Sequence, residues 1–214
     1  MDGTFDYLIV GAGSSGSVLA ERLSAAGRKV LVLEAGGSDR RFFVQMPLGY
    51  GKLFYDRRVN WGYRTEPDPG LNGQQDYWPR GKVLGGSSSI NAMVYMRGHP
   101  LDYDGWATRP GLADWAHDHC LPYFRAGESS DRGASAWRGG SGPLGVTQGR
   151  YENPLYDAWI AAAESIGFKR NRDYNGHDQE GIVKTQTTIS GARVISPYSR
   201  MEKARVCALD QNMK

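Results

Sequence analysis

The sequence has few of the residues that build disulfide frameworks and no stretch that could cross a membrane. Cys120 and Cys207 are the only cysteines among 214 residues, too few for a disulfide scaffold or a four-cysteine metal site. No apolar run approaches the ~18 residues that a transmembrane helix requires. The first residues lack the basic and apolar regions of a signal peptide. We therefore expect a cytoplasmic protein with free thiols and no transmembrane segment.

The sequence also has no large excess of positive or negative charge. Lys and Arg number 26 against 23 Asp and Glu, which leaves a formal charge of +3. This mild balance is spread along the chain and gives no reason to expect nucleic acid as a partner. Hydrophobic residues make up 40%, which is typical of a globular protein with one sizeable core and an attached lobe.

Histidine is sparse, and its arrangement predicts no metal site. His117 and His119 lie two residues apart beside Cys120, a spacing that supplies too few ligands without partners elsewhere. His99 precedes a proline, and His177 lies in a turn-like run. We expect His117 and His119 to be solvated.

Glycine, by contrast, is abundant, with 29 residues that cluster instead of repeating. The apolar run Phe5–Val10 predicts a strand buried on both faces, and the glycine-rich segment Gly11–Gly16 follows it at once. Helical spacing begins at Ser17 and ends before Gly27, and Val30–Leu33 predicts a second buried strand. Strand, helix and parallel strand in about 30 residues indicate a βαβ unit. No strong candidate for a further parallel strand follows it.

The remainder of the chain is less regular. Residues 36–80 are rich in aromatics, Gly and Pro and predict a packed, extended arm. Residues 128–143 are polar and predict a surface loop or the edge of a lobe. Asn153–Pro154 begins a predicted helix near 154–166. Its expected apolar stripe consists of Leu155, Trp159, Ala162 and Ile166.

The segment Gly11–Gly16 fits the G-x-G-x-x-G pattern of dinucleotide-binding folds, between a strand and a helix. Gly11 permits the tight turn, Gly13 lets the backbone approach a pyrophosphate, and Gly16 allows close packing of helix and strand. The positive end of the helix faces the phosphates. Glu34, at the end of the second strand, would accept hydrogen bonds from ribose hydroxyls and disfavour the 2′-phosphate of NADP. The pattern does not distinguish FAD from NAD.

A second glycine-rich segment, Gly81–Asn91, is not part of that pattern. Its adjacent glycines and three serines allow close approach to a polar ligand. The apolar side chains of Val83, Leu84 and Ile90 indicate that the segment is anchored to a core and is not a flexible linker.

Several separated motifs together resemble the glucose–methanol–choline (GMC) flavin oxidoreductases over roughly residues 5–189. The resemblance is carried by Asp6–Gly16, Leu33–Gly36, Asn60–Tyr63, Trp78–Gly81 and Gly81–Asn91, continuing to Tyr95, Gly98 and Asp104.

The resemblance implies an α/β, Rossmann-like FAD-binding fold with an extended arm and part of a second lobe. We expect an FAD-binding βαβ unit with a flavin-contacting loop at 1–105, a partial lobe at 106–189 and a divergent tail at 190–214. The family pattern is expected to end near Ser190, as in a truncated gene product.

The same resemblance implies which residues would contact FAD. Two segments, one near the pyrophosphate and ribose and one beside the flavin, supply them. The first consists of Gly11, Gly13, Ser14, Ser15, Gly16, Glu34 and Ala35, and the second of Val83, Leu84, Gly85, Gly86, Ser87, Asn91, Ala92, Met93 and Val94. Some members attach FAD through a histidine just before the asparagine of this motif. Ile90 stands there and has no nucleophile, so we expect non-covalent FAD.

The implied reaction is oxidation of a CH–OH group of an alcohol or polyol, with oxygen, a quinone or a dye as acceptor. In the family a histidine near the C-terminus of a much longer chain supplies the base. We therefore predict no catalytic residue here and an inactive chain by itself. Two alternatives remain: a nucleotide-binding remnant that acts as an interaction module, and an NAD-dependent dehydrogenase. The sequence does not separate oxidase from dehydrogenase.

Overall fold

The structure, a computed structural model, describes residues 3–149, 151–190, 193–194 and 205–208. The helices are α1 (Ser14–Ala25), α2 (Phe42–Gln45), α3 (Tyr50–Leu53), α4 (Pro100–Ala107), α5 (His117–Gly127) and α6 (Pro154–Ser165). The strands are β1 (Tyr7–Val10), β2 (Val30–Glu34), β3 (Tyr63–Arg64), β4 (Tyr77–Trp78), β5 (Glu128–Ser130), β6 (Leu144–Gln148), β7 (Gln186–Thr187), β8 (Ile189–Ser190), β9 (Arg193–Val194) and β10 (Arg205–Ala208). None of the helices in these ranges is long and apolar enough to span a bilayer.

The chain divides into two compact units, Met1–Met93 with Gly191–Lys214, and Val94–Ser190. The boundaries between these compact units lie after residues 93 and 190. The division expected from the sequence, into an FAD-binding part at 1–105, a partial lobe at 106–189 and a tail at 190–214, stays a prediction.

The first unit is built on the predicted βαβ arrangement. Strands β1 and β2 pair in parallel, with Tyr7 opposite Val30, and α1 connects them. The structure therefore confirms an α/β, Rossmann-like fold. Helix α1 begins at Ser14, three residues before the predicted start. Its Ala20 packs with Val30 and Val32 of β2 in a core from which water is excluded.

Strand β10 completes the sheet in the order β1-β2-β10 and pairs with β2 in parallel, Arg205 opposite Leu31. The expectation that no further parallel strand follows Glu34 was therefore wrong. Strand β10 has only four residues, too few to show a periodic apolar pattern in the sequence. Apart from Ser190, Arg193–Val194 and Arg205–Ala208, the predicted divergent tail lies outside the described residues, as does the Cys207 thiol. Cys120 is a free cysteine.

The prediction that β1 is buried on both faces was also wrong. Leu8 is 60% exposed and Val10 83% exposed. The reason is position in the sheet: β2 lies between two strands, whereas β1 pairs only with β2 among the described residues. An apolar run shows that a strand tolerates burial, but neighbouring elements decide whether burial occurs.

The arm at 36–80 is packed, as predicted. It contains α2, α3 and the antiparallel pair β3–β4. Asn60, which is buried, holds the arm together: its Nδ2 donates to the carbonyl of Phe54 at 2.7 Å and its Oδ1 accepts from the Gly62 N–H at 2.9 Å. An apolar core lies against it, formed by Val44, Leu53, Val59, Val83 and Ile90.

In the second unit the helix predicted near 154–166 is α6. Asn153 accepts a hydrogen bond from the Leu155 N–H at 2.9 Å and so caps it. The predicted apolar stripe, however, is on the wrong face. Leu155, Trp159 and Ile166 are each more than 70% exposed, and Ile160 is the buried residue of the helix. Periodicity identifies a helix but does not say which side other elements cover.

The polar segment 128–143 is not simply a surface loop, because it contains buried charges. Glu128 has no exposed area, and its carboxylate forms ion pairs with Arg97 and Arg138. Arg138 also donates to Asp173 at 2.6 Å and to Gln186 at 2.8 Å. Charged side chains are buried in this way only when they are paired, and the partners are too distant in sequence to reveal the pairing.

We predict that Glu128→Gln destabilises the protein by about 3 kcal/mol, because the buried guanidinium of Arg97 loses its carboxylate partner and that of Arg138 keeps only Asp173. Urea unfolding followed by far-UV circular dichroism measures the change in free energy. The control is Asp118→Asn, since Asp118 is 95% exposed and 3.8 Å from His117. That variant is expected to stay within about 0.5 kcal/mol of wild type. Equal losses in both variants would contradict a structural role for the buried pair.

Candidate cofactor-binding site

The first glycine loop runs from the end of β1 into α1. Gly11 has φ +96°, a conformation that side chains other than glycine rarely adopt. A Cβ atom on Gly16 would lie 2.0 Å from the carbonyl oxygen of Gly11. The tight turn and the close helix packing thus require glycine at these two positions for reasons internal to the protein.

Gly13 differs from its neighbours, because the protein itself does not require a glycine there. Its φ is −73°, and a Cβ atom would meet only the Cα of Gly86, at an ordinary 3.9 Å. Gly13 is the N-cap of α1, where no side chain caps the helix and no acidic residue lies in the first turn. Ser14 and Ser15 are exposed. This end of α1 is therefore an open, electropositive backbone site suited to a phosphate group.

The second glycine loop lies directly against the first. The Gly85 N–H donates to the carbonyl of Ala12 at 2.9 Å. A Cβ atom on Gly86 would lie 2.9 Å from the Cα of Gly13. Gly85 and Gly86 both have positive φ, +89° and +59°. Two segments about 70 residues apart therefore meet backbone to backbone, and the contact requires glycine on the side of the second loop, at Gly86.

Glu34 joins the end of β2 to these loops, a role that the sequence did not predict. It is 6% exposed, and its carboxylate accepts the main-chain N–H groups of Ala12 at 2.7 Å and Gly36 at 2.8 Å. Each oxygen keeps a further lone pair, so hydrogen bonding to a ribose stays a prediction. A signal for this role was available: a carboxylate ending a buried strand requires donors, and a glycine loop supplies them.

The segment after β2 also contacts the second loop. The Leu84 N–H donates to the carbonyl of Gly37 at 2.9 Å. A Cβ atom on Gly36 would lie 2.1 Å from the main chain of Lys82 and Val83. The structure thus places Ala35 in a turn that the second loop crosses. Further along, burial raises the pKa of Asp39, although a main-chain hydrogen bond and Arg40 act to lower it.

The residues predicted to lie beside the flavin differ in what they expose. The side chains of Val83 and Leu84 are buried in two apolar cores, so only their main chain is available to a ligand. Ser87 is exposed and its Oγ accepts from the Gly81 N–H at 3.1 Å. A short 3-10 helix, Gly86–Ser89, carries the loop past the N-terminal part of α1.

The segment that follows contains a strained residue. Met93 has φ +61° although it is not glycine, and its side chain is buried. Its N–H donates to Oδ1 of Asn91 at 2.9 Å, whereas Asn91 and Ala92 are exposed. Left-handed backbone at a bulky residue is found disproportionately at functional sites. Val94 is the first residue of the second unit, where it forms a bridge to Thr187.

The family model for GMC oxidoreductases matches residues 5–205. The chain belongs to the GMC oxidoreductase family. The match continues past Ser190, so the departure from the family pattern predicted there was placed too early.

Known proteins with similar sequences or structures include a dehydrogenase, an oxidase and an FAD-dependent oxidoreductase. An oxygen-dependent choline dehydrogenase of Photobacterium profundum is 46% identical over 208 residues, which cover 95% of this chain and 36% of that protein. The pyridoxine 4-oxidase of Mesorbium loti has a TM-score of 0.88 at 33% identity and covers 96% of this chain and 42% of its own. An FAD-dependent oxidoreductase from Chaetomium thermophilum has a TM-score of 0.83 at 27% identity, over 95% and 38%. The chain thus spans little more than a third of the length of such relatives.

We predict that alanine destabilises the protein at one glycine of the first loop and is tolerated at another. Gly16→Ala is expected to destabilise the protein by about 2 kcal/mol or more, because its Cβ would overlap the main chain of Gly11. Gly13→Ala, whose Cβ meets no close atom, is expected to stay within about 1 kcal/mol of wild type. Thermal and urea unfolding without added ligand measure both. A Gly13→Ala loss as large as that of Gly16→Ala would contradict the open space assigned to Gly13.

Proposed function

We propose that this chain forms the FAD-binding part of an oxidoreductase that oxidises a CH–OH group of an alcohol. The observation that carries the proposal is the junction of two glycine loops, Gly11–Gly16 and Gly81–Asn91, beside the open N-terminus of α1. A nucleotide fold alone requires only the first loop. The second loop, together with family membership, favours FAD over NAD.

The residues present fit the phosphate part of such a cofactor. Gly13 has no side chain where a pyrophosphate would approach, and the first-turn N–H groups of α1 point out of the helix end. Glu34 is held by main-chain donors in the position proposed for ribose binding. The exposed residues Asn91 and Ala92 are proposed to border the flavin ring.

FAD, when bound, supplies the acceptor for the hydride that leaves the carbinol carbon. This chain's contribution is to bind and orient the cofactor. Proton removal from the hydroxyl group needs a base, and residues 1–93, which carry both glycine loops, contain no histidine. We therefore assign no catalytic residue and propose that the chain by itself does not turn over.

Choline is the first substrate to test, because the curated relatives are choline dehydrogenases described as oxygen-dependent. Their covered share is small, so substrate and electron acceptor are proposals for the whole enzyme and not for this chain alone. The cytoplasmic location expected from the sequence stays a prediction. A nucleotide-binding remnant without turnover is the second candidate, supported by the absence of histidine from residues 1–93.

We predict that Gly13→Ala weakens FAD binding by at least about tenfold, because a Cβ atom there would occupy space needed by the pyrophosphate. Titration of FAD with the full chain, followed by quenching of flavin fluorescence, measures the dissociation constant. The matched control is Gly51→Ala, since a Cβ on Gly51 also meets no atom within 4 Å. Unchanged FAD affinity in Gly13→Ala, or an equal loss of affinity in Gly51→Ala, would contradict the placement of the pyrophosphate at Gly13.

We predict that the bound FAD is not covalently attached. Ile90 stands where a histidine attaches the cofactor in some members of the family, and its side chain is 2% exposed within an apolar core. Precipitation of the FAD-loaded chain with acid should leave all yellow colour in the supernatant. Colour retained in the washed precipitate would contradict the prediction.

A further inference from the structure

The second unit contains a strongly basic cavity that the FAD site does not involve. The cavity has a volume of about 590 Å³, within the range of small-molecule sites. Four cationic side chains line it, and none of its described lining residues is acidic. They are Arg132, Arg170, Arg172 and Lys184.

Among the described residues, none of these four cations forms an ion pair with a carboxylate. The ion pairs of the second unit's described residues are those of Arg97, His117, Arg138 and Lys169, and none includes a cation of the cavity. Arg132 donates to the carbonyl of Arg172, and Lys184 lies 5.8 Å from the ring of Tyr156. Like charges gathered in one concave surface raise the local concentration of anions.

Gln148 adds an independent observation. It lines the same cavity, and its Nε2 atom is buried without a hydrogen-bond partner within the described structure. Its main-chain N–H donates to the carboxylate of Asp131 at 3.0 Å, and Asp131 is not among the described residues that line the cavity. A buried amide donor without an acceptor is costly, and an anionic oxygen in the cavity would supply the acceptor.

A smaller apolar cavity adjoins the basic one. It has a volume of about 290 Å³ and shares Ile160, Val183 and Lys184 with the first. Its remaining walls include Tyr151, Tyr156 and Trp159, three aromatic residues that are largely exposed. Aromatic walls next to four cations suit a ligand with an apolar group joined to an anionic one.

We propose that this pair of cavities binds a small organic anion, with its phosphate or carboxylate among the four cations and its apolar ring against the aromatic walls. The shared chemistry is an oxyanion attached to a planar apolar group. Arg170 and Arg172 are positioned to contact the anionic oxygens. Gln148 donates to the same group, and the tyrosines and Trp159 contact the ring.

The test uses three probes that share one ring: 1-naphthyl phosphate, 1-naphthoate and 1-naphthol. Isothermal titration of each into the full chain should give tighter binding for at least one of the two anions than for the neutral alcohol. The tighter anion identifies phosphate or carboxylate as the preferred group. Binding of 1-naphthol as tight as that of both anions, or no binding by any probe, would overturn the proposal.

Variants locate the site. Arg170→Gln with Arg172→Gln is expected to weaken binding of the preferred anion by roughly tenfold or more, since charged hydrogen-bond donors are lost. Gln148→Leu should also weaken it. The matched control, Arg109→Gln, removes an exposed positive charge of the same unit outside both cavities and should change affinity by less than about twofold. Circular dichroism confirms that each variant is folded. Equal affinity in the double variant and wild type would refute the site.

Discussion

The contact between the two glycine loops is the constraint on which the rest of the first unit depends. The Gly85 N–H bonds to Ala12, and the backbones of Gly13 and Gly86 approach so closely that a side chain on Gly86 would overlap Gly13. The main chain of one loop therefore forms part of the wall of the other. Because backbone polar groups away from water must be paired, this contact also fixes the register in which the second loop pairs with the first.

Glu34 stabilises the first loop at that contact by accepting main-chain hydrogen bonds. A buried carboxylate is tolerated only when hydrogen-bond donors surround it. Here the donors are the main-chain N–H groups of Ala12, in the first loop, and Gly36, in the segment after β2. The residue expected to serve a ligand thus also shapes the loop that would receive the ligand. The two roles are compatible, since an ionised carboxylate accepts about four hydrogen bonds.

The second unit is organised by charge and not by a large apolar core. Glu128, Arg97 and Arg138 are buried together, and Asp173 and Gln186 complete the hydrogen bonding of Arg138. Its cavity cations, by contrast, have no acidic partner among the described residues. The same residue type therefore serves two purposes in one unit: paired arginines hold the fold, and unpaired ones create an attractive surface for anions.

The βαβ unit, the cap of α6 and the two glycine loops could be predicted from the amino-acid order, because they follow from local patterns: apolar periodicity, capping residues and glycine spacing. Tertiary structure alone decided the exposure of Leu8 and Val10, the side of α6 that is buried, the pairing of β10 and the partners of Glu128. Each of these depends on which distant segment packs against a residue, and local sequence carries no record of that. The meeting of Gly13 with Gly86 shows the difference: glycine at each position was readable from the chain, whereas the close approach that requires glycine at Gly86 needed the folded molecule.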